Sequence, residues 1–309
     1  MRIIQRALKL LTPQCVFHDE NKPLLPKLQP TPLPGVENGV RVDAGSLGLA
    51  ASGVLLLQHH QLKKKEQDAL AHTLEHSSKS VCADPALSVS VTAAVWMIAD
   101  QKDIRQNCNS KKGRGMSSTS EKTHLSGNLL GAFDLVTSNS TADDMELEAI
   151  EHILDFSSEA GTDTDESSLE QMAALGRCME RHMAKAACMQ QPTMSTGAAN
   201  FLQQYFMALR QYDAADFGVT AGTLSSLARL AIASARLHLR DTVLALPDAV
   251  LAIIMFERSC DSKGFQSRMA RDVQNIVPDG EELADHLRAS HTALKAHFGS
   301  TDVGLAREE

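Results

Sequence analysis

Residues 53–76 read GVLLLQHHQLKKKEQDALAHTLEH, and the fold class follows from this stretch. Gly53–Leu57 is a continuous apolar run of strand length, the pattern of a strand buried on both faces. After a polar turn, Lys63–His76 places Ala69, Leu70 and Leu74 at helical spacing, so an amphipathic helix follows. Leu87–Ile98 (LSVSVTAAVWMI) alternates at first and then becomes fully apolar. It predicts a hairpin arm and then a second buried strand. Leu129–Val136 (LLGAFDLV) predicts a third short strand. Strand, helix and strand in succession give an α/β unit with a parallel sheet.

Upstream, Ile3, Ile4, Ala7, Leu8 and Leu11 have helical spacing, with Pro13 as a stop. Six of the ten prolines lie between Pro13 and Pro34. Pro23–Pro34 therefore predicts an extended surface connection, since proline lacks a donor and fixes φ. Val40–Leu49 predicts a short strand or turn. Lys102–Lys122 is a polar loop carrying Lys102, Arg105, Lys111, Lys112, Arg114 and Lys122. From Thr123 to Gly176 there is no Lys or Arg, while twelve acids fall between Asp134 and Glu170. Glu159–Ser168 reads as a linker. Helices resume over Leu169–Met189, Ala198–Arg210, Thr220–Arg240 and Pro247–Glu257, with a weaker one near Glu281–Phe298. Pro247 and Asp248 suit a helix start. The expected divisions are a helix and proline-rich connection (1–40), an α/β core (41–137), an acidic linker and helix (138–197), a helical lid (198–260) and a tail (261–309).

Of the 309 residues, 43% are hydrophobic and 4% aromatic, which favours a helix-rich globular chain. The net charge of −8 excludes a whole-chain basic footprint for nucleic acid. No apolar run reaches the roughly 20 residues that span a bilayer. The six cysteines show no C-x-x-C spacing. Met1–Leu11 lacks the apolar core and cleavage site of a signal peptide. The expectation is an intracellular chain with reduced thiols and no membrane partner.

Two stretches resemble the MCM family of AAA+ proteins. In Asp43–Asp100, Ala44–Leu57 (AGSLGLAASGVLLL) is similar to the segment leading into Walker B. Lys64–Glu75 resembles the helix after it, Pro85–Ile98 the pre-sensor hairpin and sensor-1 strand, and Leu129–Val136 the arginine-finger segment LLSRFDL. In Tyr205–Glu257, Tyr205–Arg210 (YFMALR) and Thr220–Leu230 (TAGTLSSLARL) resemble the lid pattern Y-x-x-L-R then T-x-R-x-L-E-x-L-x-R-L. Val243–Ala249 (VLALPDA) resembles V-T-x-x-D-A. The resemblance implies an AAA+-like parallel sheet remnant followed by an all-helical lid.

The departures fall on the chemistry. A P-loop needs glycine-rich backbone donors and a lysine for phosphates, and the chain has no G-K dipeptide. Walker B needs two carboxylates, one for Mg²⁺ and one to orient water, where Gln58 and His59 stand. Asp100 replaces the sensor-1 asparagine, Ala132 the arginine finger and Gly222 the sensor-2 arginine. The pattern is similar to one diverged branch, the minichromosome maintenance domain-containing protein 2 group. That resemblance implies a nuclear, non-catalytic role in meiotic recombination and double-strand-break repair, through assembly with other MCM-like proteins. DNA would be reached through the complex. The implied catalytic, cofactor and metal residues are none. The alternative is an ATP-binding helicase or ATPase subunit of an MCM complex.

Four local patterns have sharper readings that are set aside. Gln58–Gln61 (QHHQ) suggests a metal or acid–base site, but adjacent residues of a strand point to opposite faces. His72–His76 (HTLEH) has the H-x-x-E-H spacing of a zinc protease helix without an identifiable third ligand. The basic loop Lys102–Lys122 lacks the aromatic interleaving that stacks bases, and Cys82–Pro85 lacks the family hairpin's lysine. The acidic run Asp143–Glu170 is read as a solvated linker.

Overall fold

The computed structural model describes residues 4, 8, 12, 14–18, 28, 31–33, 41–75, 80–81, 88–89, 92–99, 125–137, 166–217, 219, 221–263 and 282–305. Asp100, His76, Cys82–Pro85 and the basic loop lie outside these residues, as does the linker up to residue 165.

Strands β1 (Cys15–Phe17), β2 (Thr31–Leu33) and β3 (Arg41–Asp43) precede helix α1 (Gly45–Leu49) and β4 (Val54–Gln58). A 3₁₀ turn, His59–Gln61, leads into α2 (Lys64–Glu75). Then come β5 (Ser80–Val81), β6 (Ser88–Val89), β7 (Ala94–Ile98) and helix α3 (Gly127–Ala132). The sheet order is β1-β4-β7, parallel throughout, with Val54 opposite both Cys15 and Ala94. β5 and β6 form the expected hairpin, and β2 pairs antiparallel with β3.

β4 is central because its side chains fill both faces. Val54 and Leu56 pack with Leu8 on one side. Leu55 and Leu57 join Leu47, Leu62, Leu70 and Leu129 on the other. Gly53 precedes it at a close approach, since a Cβ there would lie 2.2 Å from the Gln14 carbonyl oxygen. α2 starts with its Glu66 carboxylate accepting the Lys63 N–H at 3.0 Å, half of a capping box.

Two expectations are corrected. The predicted strand Leu129–Val136 is helix α3 followed by residues 133–137, which form neither strand nor helix. The Ser126 hydroxyl accepts the Leu129 N–H at 3.1 Å, an N-cap that starts the helix. So short an apolar run does not distinguish the two states. The second apolar strand, β7, is parallel to β4 as expected but only half buried, with Trp96 47% exposed.

The rest is helical. α4 (Glu166–Cys188), β8 (Thr193–Met194), α5 (Thr196–Phe217), α6 (Ala221–Leu237) and β9 (Thr242–Val243) follow. A π-helical turn, Ala245–Ala249, runs into α7 (Val250–Ser262), and α8 (Glu282–Leu305) ends the described chain. Leu227 and Ala231 of α6 pack against Ile253, Ile254 and Phe256 of α7 in a second core. Leu224 and Leu230 lie at its margin. Leu239 does not join it: this residue adopts φ 53° just past α6, where the Arg240 N–H reaches the Ala235 carbonyl. α8 docks on the same core through Leu287, Leu294 and Phe298, with the Phe298 and Phe201 rings edge to face at 5.3 Å. The architecture is α/β followed by a helical lid, which carries the short parallel pair β8–β9. Among the described residues no helix is long and apolar enough to cross a membrane.

Candidate functional site

The end of β4 is where the sequence pattern places a catalytic carboxylate pair. Gln58 closes the strand, half buried, and the chain turns through His59. His59 is 1% exposed, whereas His60 is exposed. The His59 Nε2 lies 3.3 Å from the amide nitrogen of Gln67 on α2. Gln67, fully buried, also donates to the Leu62 carbonyl at 3.3 Å. Its amide oxygen accepts the Ser126 N–H at 2.9 Å. The turn after β4, helix α2 and the start of α3 are thus tied through hydrogen bonds. A single buried amide satisfies both the turn after the strand and the entry to α3.

Ala132 ends α3 and Gly222 lies exposed in the first turn of α6. Neither side chain carries a charge. His72 sits exposed on α2. Among the described residues no three His, Cys, Asp or Glu side chains come together in a metal-holding group.

What the structure brings together is the seam between sheet and lid. Asp134, just after α3, takes the Arg229 guanidinium of α6 in a two-point contact, with Nε donating to Oδ2 at 3.1 Å. The Ser226 hydroxyl donates to the same carboxylate. The Val136 N–H donates to the Ser259 hydroxyl of α7 at 2.8 Å. The Lys263 ammonium donates to the Phe133 carbonyl at 3.1 Å. Burial lowers the Lys263 pKa below its ordinary value, while Cys260 and Asp134 oppose that shift. Residues 133–137 are therefore fastened to α6 and α7 at several points. Beside them lies a mostly apolar cleft of about 870 Å³ that reaches to β7.

A second buried polar cluster holds the lid. Asp248, fully buried, accepts from Arg240 at 2.7 Å, Ser234 at 2.8 Å and the Leu244 N–H at 2.8 Å. It fixes the π-helical turn against the end of α6. Tyr205, also fully buried, donates its hydroxyl to Glu257. Asp134 and Arg229 were legible only as letters within F-D-L and L-A-R-L. They stand 95 positions apart, and no spacing rule pairs them.

Comparison with known proteins agrees with the lid. The model of the MCM AAA-lid domain matches residues 177–260. The chain is similar to an uncharacterised MCM-type protein of Methanocaldococcus jannaschii, 25% identical over 87% of this chain and 36% of that protein. It is also similar to a protein of Arabidopsis thaliana named probable DNA helicase MCM8, 24% identical over 73% of this chain and 32% of that one. The chain spans about a third of the length of these curated relatives.

Proposed function

Starting from a chain that is a diverged member of the MCM family, we propose that it works as a non-catalytic, nuclear MCM-like protein in meiotic recombination and double-strand-break repair, by assembling with other MCM-like proteins. The observation that carries the non-catalytic part is His59. At the position where the family pattern calls for a water-orienting carboxylate, this buried side chain contacts Gln67 within the fold. Gln58 beside it brings no carboxylate for Mg²⁺. Ala132 and Gly222 bring no cation for transition-state charge. The two hydrophobic cores are nonetheless complete enough to hold sheet and lid in order. A fold kept without its chemistry suits a subunit that contributes surface to an assembly. The meiotic setting rests on the resemblance alone.

The experiment has two arms. Steady-state turnover with Mg²⁺-ATP should stay at background, and hydrolysis inhibited by a nucleotide analogue would overturn the non-catalytic reading. Disruption of the gene should leave mitotic growth intact while meiotic breaks persist, with an MCM paralogue recovered by pull-down. Normal meiosis in a confirmed null would overturn the role. The name of the Arabidopsis relative favours a second reading, an ATP-binding helicase or ATPase subunit. ATP binding and turnover by the protein in its assembly would select it.

A further inference from the structure

We propose that the outward face of helix α4 binds the phosphate backbone of a nucleic-acid strand through Arg177, Arg181 and Lys185, without reading its sequence.

α4 is fastened to the lid towards its C-terminal end. His182 donates its Nε2–H to the Leu237 carbonyl of α6 at 2.6 Å. Arg236 of α6 donates to the Met189 carbonyl, just past α4, at 3.3 Å. Among the described side chains of α4 only that of Ala186 is buried. Successive residues step by about 100° round a helix, so Arg177, Arg181 and Lys185 stand about 40° apart in one row. All three are exposed, and among the described residues no acid pairs with them. Ala186 lies about 140° round from Arg181, so the row faces away from the body. Within about 60° of Arg181 the other described residues are Ala174, Cys178, Ala184 and Cys188, all small. Glu180 lies about 100° round, off the row.

Four residues advance a helix by about 6 Å, close to the separation of neighbouring phosphates along a strand. A helix lying along the strand therefore gives each of three phosphates its own cation. The guanidinium forks of Arg177 and Arg181 suit phosphate oxygens, and the small residues between them let the backbone come close. A protein partner would need apolar or aromatic anchors at the centre of its contact, and the row offers none. The exposed Leu175 and Met179 lie about 120° and 160° round from Arg181. The helix carries no Phe, Tyr or Trp, so bases find nothing to stack on and the contact is with phosphates alone. The net charge of −8 opposes approach of a polyanion, which makes the binding weak and steeply salt-dependent. The inference goes beyond the role proposed above, in which DNA is reached through the complex, and rests on α4 alone.

The probes are fluorescein-labelled oligonucleotides of mixed sequence, one single-stranded and one duplex, titrated with the full chain and followed by anisotropy. One row touches one strand, so both should bind, and a change of base sequence should not alter either affinity. Replacing Arg177, Arg181 and Lys185 together by alanine should cut affinity about tenfold or more at about 50 mM salt. The plot of log affinity against log salt should become shallower by about 2–3, one phosphate contact per cation. Alanine preserves an exposed helix, so circular dichroism and the urea midpoint of this variant should match those of the parent chain. Arg181→Lys keeps the charge and should keep the slope. A slope unchanged in the triple variant would overturn the proposal, since the binding would then belong to other cations of the chain. Tighter binding of a polyglutamate peptide of equal charge, lost in the same variant, would assign the row to an acidic protein and overturn it too. So would the absence of binding by either oligonucleotide at about 20 mM salt, where phosphate contacts are strongest.

Discussion

At the residue scale, His59 and Asp248 show two ways of burying a polar group. His59 is 1% exposed and sits against the amide of Gln67. His59→Glu puts a carboxylate into that closed site, and the expected loss of stability is about 3 kcal/mol, read from the urea midpoint. On the proposed non-catalytic reading, adding Gln58→Asp should still leave ATP turnover at background, because carboxylates do not hold phosphates. Asp248 is fully buried and holds Arg240, Ser234 and the Leu244 N–H together. Asp248→Ala leaves three donors without their acceptor. The expected cost is about 3 kcal/mol, at the lower end for a broken buried pair, because Arg240 can still reach solvent. A loss below about 1 kcal/mol in denaturant unfolding would contradict this account of the turn.

At the element scale, the β1–β4 pair and the docking of α8 are the points of greatest leverage. A Cβ at Gly53 would meet the backbone of Gln14, which has no rotamer with which to yield. Gly53→Ala should cost about 1–3 kcal/mol and loosen β1, seen as faster amide exchange at Val16 and His18. On α8, His291 stacks obliquely on Phe201 at 5.0 Å. Its pKa is lowered from 6.5, first by burial and then by Lys295. The unfolded chain therefore takes up this proton first as pH falls. Stability should decline as pH drops from about 6.5 through the lower folded value, and level off beneath it. His291→Gln should flatten that part of a thermal-midpoint profile. α3 teaches the limit of pattern reading at this scale. Its short apolar run suits strand or helix equally, and a hydroxyl cap at Ser126 decides the outcome.

At the scale of the whole molecule, sheet and lid meet through polar contacts between residues 133–137 and helices α6 and α7. The Asp134–Arg229 pair is an ion pair in this seam, with side chains 37% and 43% exposed. At that exposure solvent screens the attraction, so a double-mutant cycle on Asp134→Ala and Arg229→Ala should give a coupling below about 1 kcal/mol. A larger coupling would make the pair a principal tie between the halves. Its specificity lies in geometry, since a planar guanidinium held at two points fixes the rotation of α6 over the cleft.

The sequence alone determined the features that depend on periodicity. GVLLL suited a strand covered on both faces, and the helices of the lid followed from their apolar spacing. The order of sheet then lid followed from those elements, and Gln58, His59, Ala132 and Gly222 were visible as the letters that the resemblance sets against the family pattern. Tertiary structure decided the rest, because it depends on which distant groups meet. It set β1, three residues whose strand state comes from pairing with β4. It turned His59 inward onto Gln67 and joined Asp134 to Arg229 across 95 positions. It also left β7 half exposed, because an apolar pattern records a preference for burial and not whether a neighbour is present to supply it.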